Sequence, residues 1–362
     1  MKKNSFKIIA ILIVTILIIG ALYLIYINIV HNENIDNEGV VSSNMNIVLS
    51  LEDEIKDNTA WCGTFNLIWN DLKDELAKQD IVFTPQLKIV ENLNRETFNK
   101  SYLDESSYYK FCGSPSLELK EQVKQEIKKK FNETSSIIDE LSWTEESNKY
   151  ILYAMLKKEF KFQNVFDELS NGNFGEYKNV KYFGITPSTK GNTRKQVRVL
   201  YYTSKENFAV EIETTGNDKV IISRGNDSDN FLDMYNEITE KYKNYEGSNM
   251  FGESDILRIP EIKFNLKKEI SELEGKEFLF SDGMPYEIEK ALQTIEFELD
   301  KKGGKIKSEA GMGLEATSLE INSDKPREFI ADDTFVIFLI EQNKDLPYFA
   351  AKISDISNVQ NI

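Results

Sequence analysis

Ile295-Glu296-Phe297-Glu298-Leu299-Asp300-Lys301-Lys302-Gly303-Gly304-Lys305-Ile306-Lys307-Ser308-Glu309-Ala310-Gly311-Met312-Gly313-Leu314 is the stretch on which the reading of this chain turns. Ile295, Phe297 and Leu299 alternate with Glu296, Glu298 and Asp300, the period-2 pattern of a strand with one buried face. At Lys302-Gly303-Gly304-Lys305 the phase flips. Ile306, Ser308, Ala310, Met312, Leu314 and Ala316 then share a face, with Lys305, Lys307, Glu309 and Glu315 opposite. A two-residue Gly-Gly hairpin turn accounts for the flip, because glycine accepts the positive φ that such turns need. In that register Leu299 meets Ser308, Phe297 meets Ala310, and Asp300 pairs with Lys307.

Working outward, the chain reads as α+β. An amphipathic helix starting near Thr64 is predicted over 66–78, from Leu67, Ile68, Leu72 and Leu76. A second, surface helix is predicted over 117–131 and a third over 230–242. Residues 150–166 read as a buried strand, 197–210 as a hairpin turning at 203–207, and 219–223 as a short strand. A strand through Pro260 over 256–264 and a short helix over 266–273 follow, and strands over 335–341 and 348–353 close the chain.

The 362 residues are 41% hydrophobic and 29% charged, a globular composition. The N-terminus departs from it. Lys2, Lys3 and Lys7 precede residues 8–30, which carry no charge and exceed the ~20 residues that span a bilayer. The reading is a retained signal anchor, with residues 1–7 cytoplasmic, 31–45 a tether and the single domain 46–362 outside the cell. The net charge of −16, with a positive first segment, argues against a nucleic-acid partner. Cys62 and Cys112 lie in similar settings and leave two readings open. One is a disulfide contributing roughly 3 to 5 kcal/mol, the other two separate buried thiols.

The only histidine is His31, which removes Ser-His-Asp and Cys-His catalysis and histidine-ligated metal sites from the folded part. Neither Asp332-Asp333, Glu145-Glu146 nor Gly311-Met312-Gly313 carries a specific catalytic or phosphate-binding context, so no enzyme activity, cofactor or metal is read from the chain.

Several segments resemble, in order, those of the serpin family. Ile-Leu-Arg-Ile-Pro-Glu-Ile-Lys-Phe over 256–264 is similar to the family's Leu-Pro-Lys-Phe-Lys strand, and Phe280-Ser281-Asp282-Gly283-Met284 to the turn that follows it. Residues 295–303 fall where the family's strand before its reactive loop lies. Phe335-Val336-Ile337-Phe338-Leu339-Ile340 and Pro347-Tyr348-Phe349 are similar to its closing strands, and Phe131-Asn132-Glu133-Thr134 with 150–166 to its helix end and central strand. Together these span roughly 117–355. The resemblance implies serpin-like mixed sheets with surface helices, and a mechanism. A loop over about 305–328 is offered to a serine or cysteine protease, cleaved, and inserted as a new strand. It implies a hinge at Gly303, Gly304, Lys305, Ile306, Lys307 and Ser308 and a bait bond among Ala316, Thr317, Ser318 and Leu319. It also sets the family's Ser-rich region beneath the sheet near Gly63 and Thr64, and its central-strand Asn at Tyr153. The hinge departs from the small residues of inhibitory members at Lys305, Ile306 and Lys307, since a β-branched side chain is bulky to thread. Two functions therefore follow: a membrane-anchored protease inhibitor, or a non-inhibitory binding protein whose 306–314 strand stays in the sheet.

Overall fold

A computed structural model describes residues 45–135, 137–144, 149–306 and 326–360. Its strands, numbered in chain order, form four sheets. The largest runs β1 (Asn46–Val48), β2 (Thr59–Cys62), β19 (Phe349–Ile353), β18 (Phe335–Glu341), β10 (Asp218–Arg224), β9 (Asn207–Glu213) and β8 (Val197–Ser204). A second is ordered β17 (Glu328–Ile330), β11 (Ile256–Pro260), β7 (Tyr177–Ile185) and β6 (Asp167–Phe174). A third is ordered β12 (Ile262–Glu269), β15 (Leu292–Asp300), β16 (Gly303–Ile306) and β5 (Lys158–Lys161). The fourth is ordered β13 (Glu277–Leu279), β14 (Pro285–Lys290), β4 (Lys149–Leu156) and β3 (Tyr108–Gly113).

The last two are halves of one central sheet. Only Lys157 separates β4 from β5, and only Ala291 separates β14 from β15. Even-numbered residues of β4–β5 such as Leu152 and Phe160, with Ile295, Phe297 and Leu299 of β15, face the main core, where Phe297 stacks on Phe349 at 4.6 Å. Odd-numbered Ile151 and Tyr153 face a second cluster made by Val123, Ile127 and Phe131 of the helix Leu117–Phe131. That helix starts where the Ser116 hydroxyl accepts from Leu119 N and stops at Asn132 with φ 55°, three lysines in its last turn complementing its dipole. Helix Phe231–Lys243 covers the outer face of the seven-stranded sheet through Phe231 and Tyr235 on Phe338.

The predicted helices near 64, 117 and 230 and the hairpin at 203–207 are present. The first runs on past Asp71 as a wider turn over Leu72–Ala77. Two readings are corrected. The strand through Pro260 is two strands, because Pro260 has no N–H to donate and the chain crosses there from one sheet to another. No helix forms over 266–273, since Leu266 continues the inward alternation of Ile262 and Phe264 and β12 pairs with β15 as far as Glu269. Among the described residues no helix is long and apolar enough to cross a membrane, and residues 8–30 lie outside them.

Candidate functional site

The central sheet is closed in one half and parted in the other. In the closed half β4 and β14 are parallel neighbours, with Glu287 opposite Lys149 and Lys290 opposite Ile151. In the parted half the same two runs, now β5 and β15, stand on either side of β16. Lys161, Phe160, Glu159 and Lys158 face Gly303, Gly304, Lys305 and Ile306 in turn. On the other side Asp300, Leu299 and Glu298 face Gly303, Gly304 and Lys305.

This pairing corrects the hairpin register. The turn is Lys301-Lys302, and both glycines lie inside the strand. Asp300 sets the turn, because its Oδ1 accepts from Lys302 N at 2.7 Å and Gly303 N at 3.2 Å. The glycines are needed for room as well as conformation. Gly303 has φ 149°, and a Cβ there would lie 2.1 Å from Phe160 O. One on Gly304 would lie 2.2 Å from the Phe160 ring and 2.8 Å from Glu298 O. The turn is also tied outward. Phe162 N and Phe166 N donate to the carbonyls of Lys302 and Lys301 at 2.9 Å each, and the Lys301 ammonium reaches Glu168.

Of the predicted hinge residues the structure brings together Gly303, Gly304, Lys305 and Ile306. Lys307 and Ser308 lie outside the described residues, as do Ala316, Thr317, Ser318 and Leu319. Cys62 and Cys112 are free thiols, which decides between the two readings against the disulfide. They sit on β2 and β3 in different sheets, opposite Phe349 and Leu152, whereas a bridge needs Cα atoms within about 7 Å. Burial raises both thiols, Cys112 to about 12, so neither is activated.

Beneath β16 lies a buried charge cluster that sequence reasoning missed. Lys158, opposite Ile306, sends its Nζ to Asp218 Oδ1 at 2.6 Å and Glu341 Oε1 at 2.5 Å. The same ammonium lies 4.6 Å from the Tyr348 ring centre, and the Tyr348 hydroxyl donates to Asp218 Oδ1 at 3.0 Å. Burial, with Asp218 beside it, holds the Tyr348 phenol well above its ordinary value. Glu341 Oε2 accepts from Asp104 N at 3.0 Å. The central sheet is thereby stapled to the seven-stranded sheet at the level of β16. One signal was available: Lys158 shares its parity with Phe160 and Phe162, so the alternation itself turns it inward.

Where the two halves meet, Gln293 donates to Cys62 O at 3.0 Å and to the Thr64 hydroxyl at 3.3 Å, while its Oε1 is buried with no hydrogen-bond partner. Thr64 thus does sit beneath the sheet, but Tyr153 occupies the opposite, helix-covered face. The start of β17 is held too. Arg327 donates from Nη2 and Nε to Asp255 Oδ2 at 2.7 and 3.1 Å, and from Nη1 to Ser248 O at 2.7 Å. Asp255 is fully buried, so this ion pair fixes the entry into β17.

No protein-family model and no curated protein matches the chain. Among solved structures it is similar to thyroxine-binding globulin in complex with thyroxine, at 10% identity over 65% of this chain and 64% of that one, TM-score 0.39. A second structure of the human globulin with its ligand matches at 10% identity over 64% and 63%, TM-score 0.39. Serpin48 of the insect Tenebrio molitor, a highly specific serpin, matches at 15% identity over 57% and 55%, TM-score 0.34. The chain spans less than two thirds of the length of each.

Proposed function

We propose that this chain is a membrane-anchored extracellular inhibitor of a serine or cysteine protease, which offers segment 307–325 as bait and, once cut, draws it into the parted sheet. The observation that carries this reading is the strand already begun between β5 and β15. Continued in the same register, Ser308 falls between Leu156 and Ile295, and Ala310 between Ala154 and Gln293. Positions 307–312 fit before the first direct pair, Ile151 with Lys290, has to break. Small Ser308 and Ala310 on the inward face favour entry, and each added residue gains ladder bonds on both sides. Such a sheet stores its missing strand as strain that loop insertion releases.

A second reading, a non-inhibitory binding protein, is favoured by how firmly the hinge is already seated: Asp300, Phe162, Phe166 and Glu168 all tie the Lys301-Lys302 turn. Nicking the purified protein within 309–325 with a nonspecific protease separates the two. Insertion raises the melting temperature by more than about 10 °C, equivalent to at least ~3 kcal/mol at roughly 2–4 °C per kcal/mol. No rise, together with no detergent-stable complex with any protease tried, sinks the inhibitor reading and leaves the binding protein.

A further inference from the structure

The exposed apolar side chains are unevenly spread. Among the described residues seven large apolar side chains are exposed: Val82, Leu117, Leu279 and Met284, at 59%, 73%, 53% and 51%, lie at one end of the central sheet, while Val165, Tyr242 and Met250 lie apart from it. Strand pairing fixes that end. Leu279 closes β13 opposite Pro285, β14 enters beside Lys149, and Gly113 closes β3 opposite Ile151, shortly before Leu117. The loop holding Val82 is brought there by Ser281 N donating to Ala77 O at 2.9 Å, by Gln79 Nε2 donating to Leu279 O at 2.7 Å, and by Phe83 against Phe278. The hinge, at Lys161, Asp300 and Gly303, is at the other end of the same strands. Exposed apolar clusters of this kind mark protein or membrane contacts.

We infer that this apolar pole rests on the lipid surface, a proposal that itself rests on the anchored reading above. The chain ahead of Met45 supplies the argument for lipid as the occupant. Residues 8–30 are long enough to span a bilayer, and residues 31–44 reach at most about 50 Å when extended, so the domain is confined close to the membrane. Confinement raises the effective concentration of a weak contact to the millimolar range, which four apolar side chains need. The chain is too acidic for attraction to anionic headgroups, so the contact is apolar and suits zwitterionic lipid. One consequence is orientation: the hinge faces away from the bilayer, open to a soluble partner.

The test uses the full chain in phosphatidylcholine vesicles whose acyl chains carry bromine, a quencher of tryptophan. The native Trp61, Trp69 and Trp143 are buried and give a constant background. Leu279→Trp and, as a second variant on the same pole, Met284→Trp are expected to lose at least half of the added emission on changing from plain to brominated lipid. Val165→Trp, exposed beside the hinge turn, is expected to lose none. Equal behaviour at all three positions in chains that float with the vesicles overturns the inference and leaves the anchor standing. Chains that do not float sink the anchored reading and this inference with it. Emission at 279 that is shifted to the blue yet unquenched means a protein surface covers the pole, and also overturns it.

Discussion

The two halves of the central sheet are made by the same pair of strand runs and differ in what lies between them. In the closed half, β4 and β14 sit at the ~4.8 Å spacing of direct neighbours. In the parted half, β5 and β15 stand about twice that far apart with Gly303 to Ile306 between them. The closed half is held by aromatic contacts, with Tyr150, Phe280 and Tyr286 packed together at centroid distances of 3.7 to 5.7 Å. The parted half has aromatic packing too, Phe297 on Phe349 and Phe264, but adds a buried ion cluster and two glycines that let a third backbone through. Apolar packing resists separation of two strands at every point, whereas charges and glycines specify one arrangement at one point. The difference is local: only the parted half holds a third strand, β16, between its two runs.

Removing a single charge should disturb that half most. Lys158→Ala leaves Asp218 and Glu341 buried without their cation and is expected to cost about 3 to 5 kcal/mol in urea unfolding. A triple variant that also carries Asp218→Asn and Glu341→Gln should recover much of the loss. If Lys158→Ala is neutral, the staple is not what holds the parted half. The mirror experiment addresses the closed half. Ile288, fully buried on β14, truncated to Ala should cost about 2 to 4 kcal/mol and raise amide exchange at 149–151 while leaving 158–161 protected. Equal deprotection of both stretches would show that the halves do not act separately.

Gly303→Ala places a Cβ against Phe160 O at a φ that side chains avoid, for a loss of about 1 to 3 kcal/mol. Exchange should rise at 158–161 and 298–300 as β16 leaves the sheet, with 149–151 unaffected. The smallest effect is that of pH on the turn. The Lys301 ammonium holds Glu168 below the ordinary carboxylate value. Because the folded value lies below the unfolded one, the tie is present near neutrality, and it is lost as pH falls through the folded value. The amides of Phe162 and Phe166, corrected for intrinsic rates, should then exchange slightly faster at pH 3 than at pH 7. No change means that the backbone bonds alone hold the turn.

Much of the strand inventory was legible. The 295–299 alternation stands where period-2 patterning put it, because alternation is a local property of the pleat, and the closing strands stand where their apolar runs put them. Gly303 and Gly304 were singled out but given the wrong local role. A Gly-Gly pair reads as a turn when only neighbours in sequence are considered, and the opposing Phe160 that demands the missing side chains is far along the chain. The short helix over 266–273 failed for a related reason. Leu266, Ile270 and Leu273 fit a helical period, and only pairing with β15 shows that the strand persists to Glu269.

By itself the sequence determined which residues could face inward on either side of the glycines, since that parity belongs to the extended chain. It also determined the α+β class and the presence of a single histidine, His31. Only the tertiary structure decided that β16 lies between β5 and β15, that Lys158 meets acids 60 and 183 positions away, and that Arg327 closes on Asp255 across 72. Those partners are chosen by how the sheets stack, and a one-dimensional pattern with period two carries no information about which strand becomes the neighbour of which.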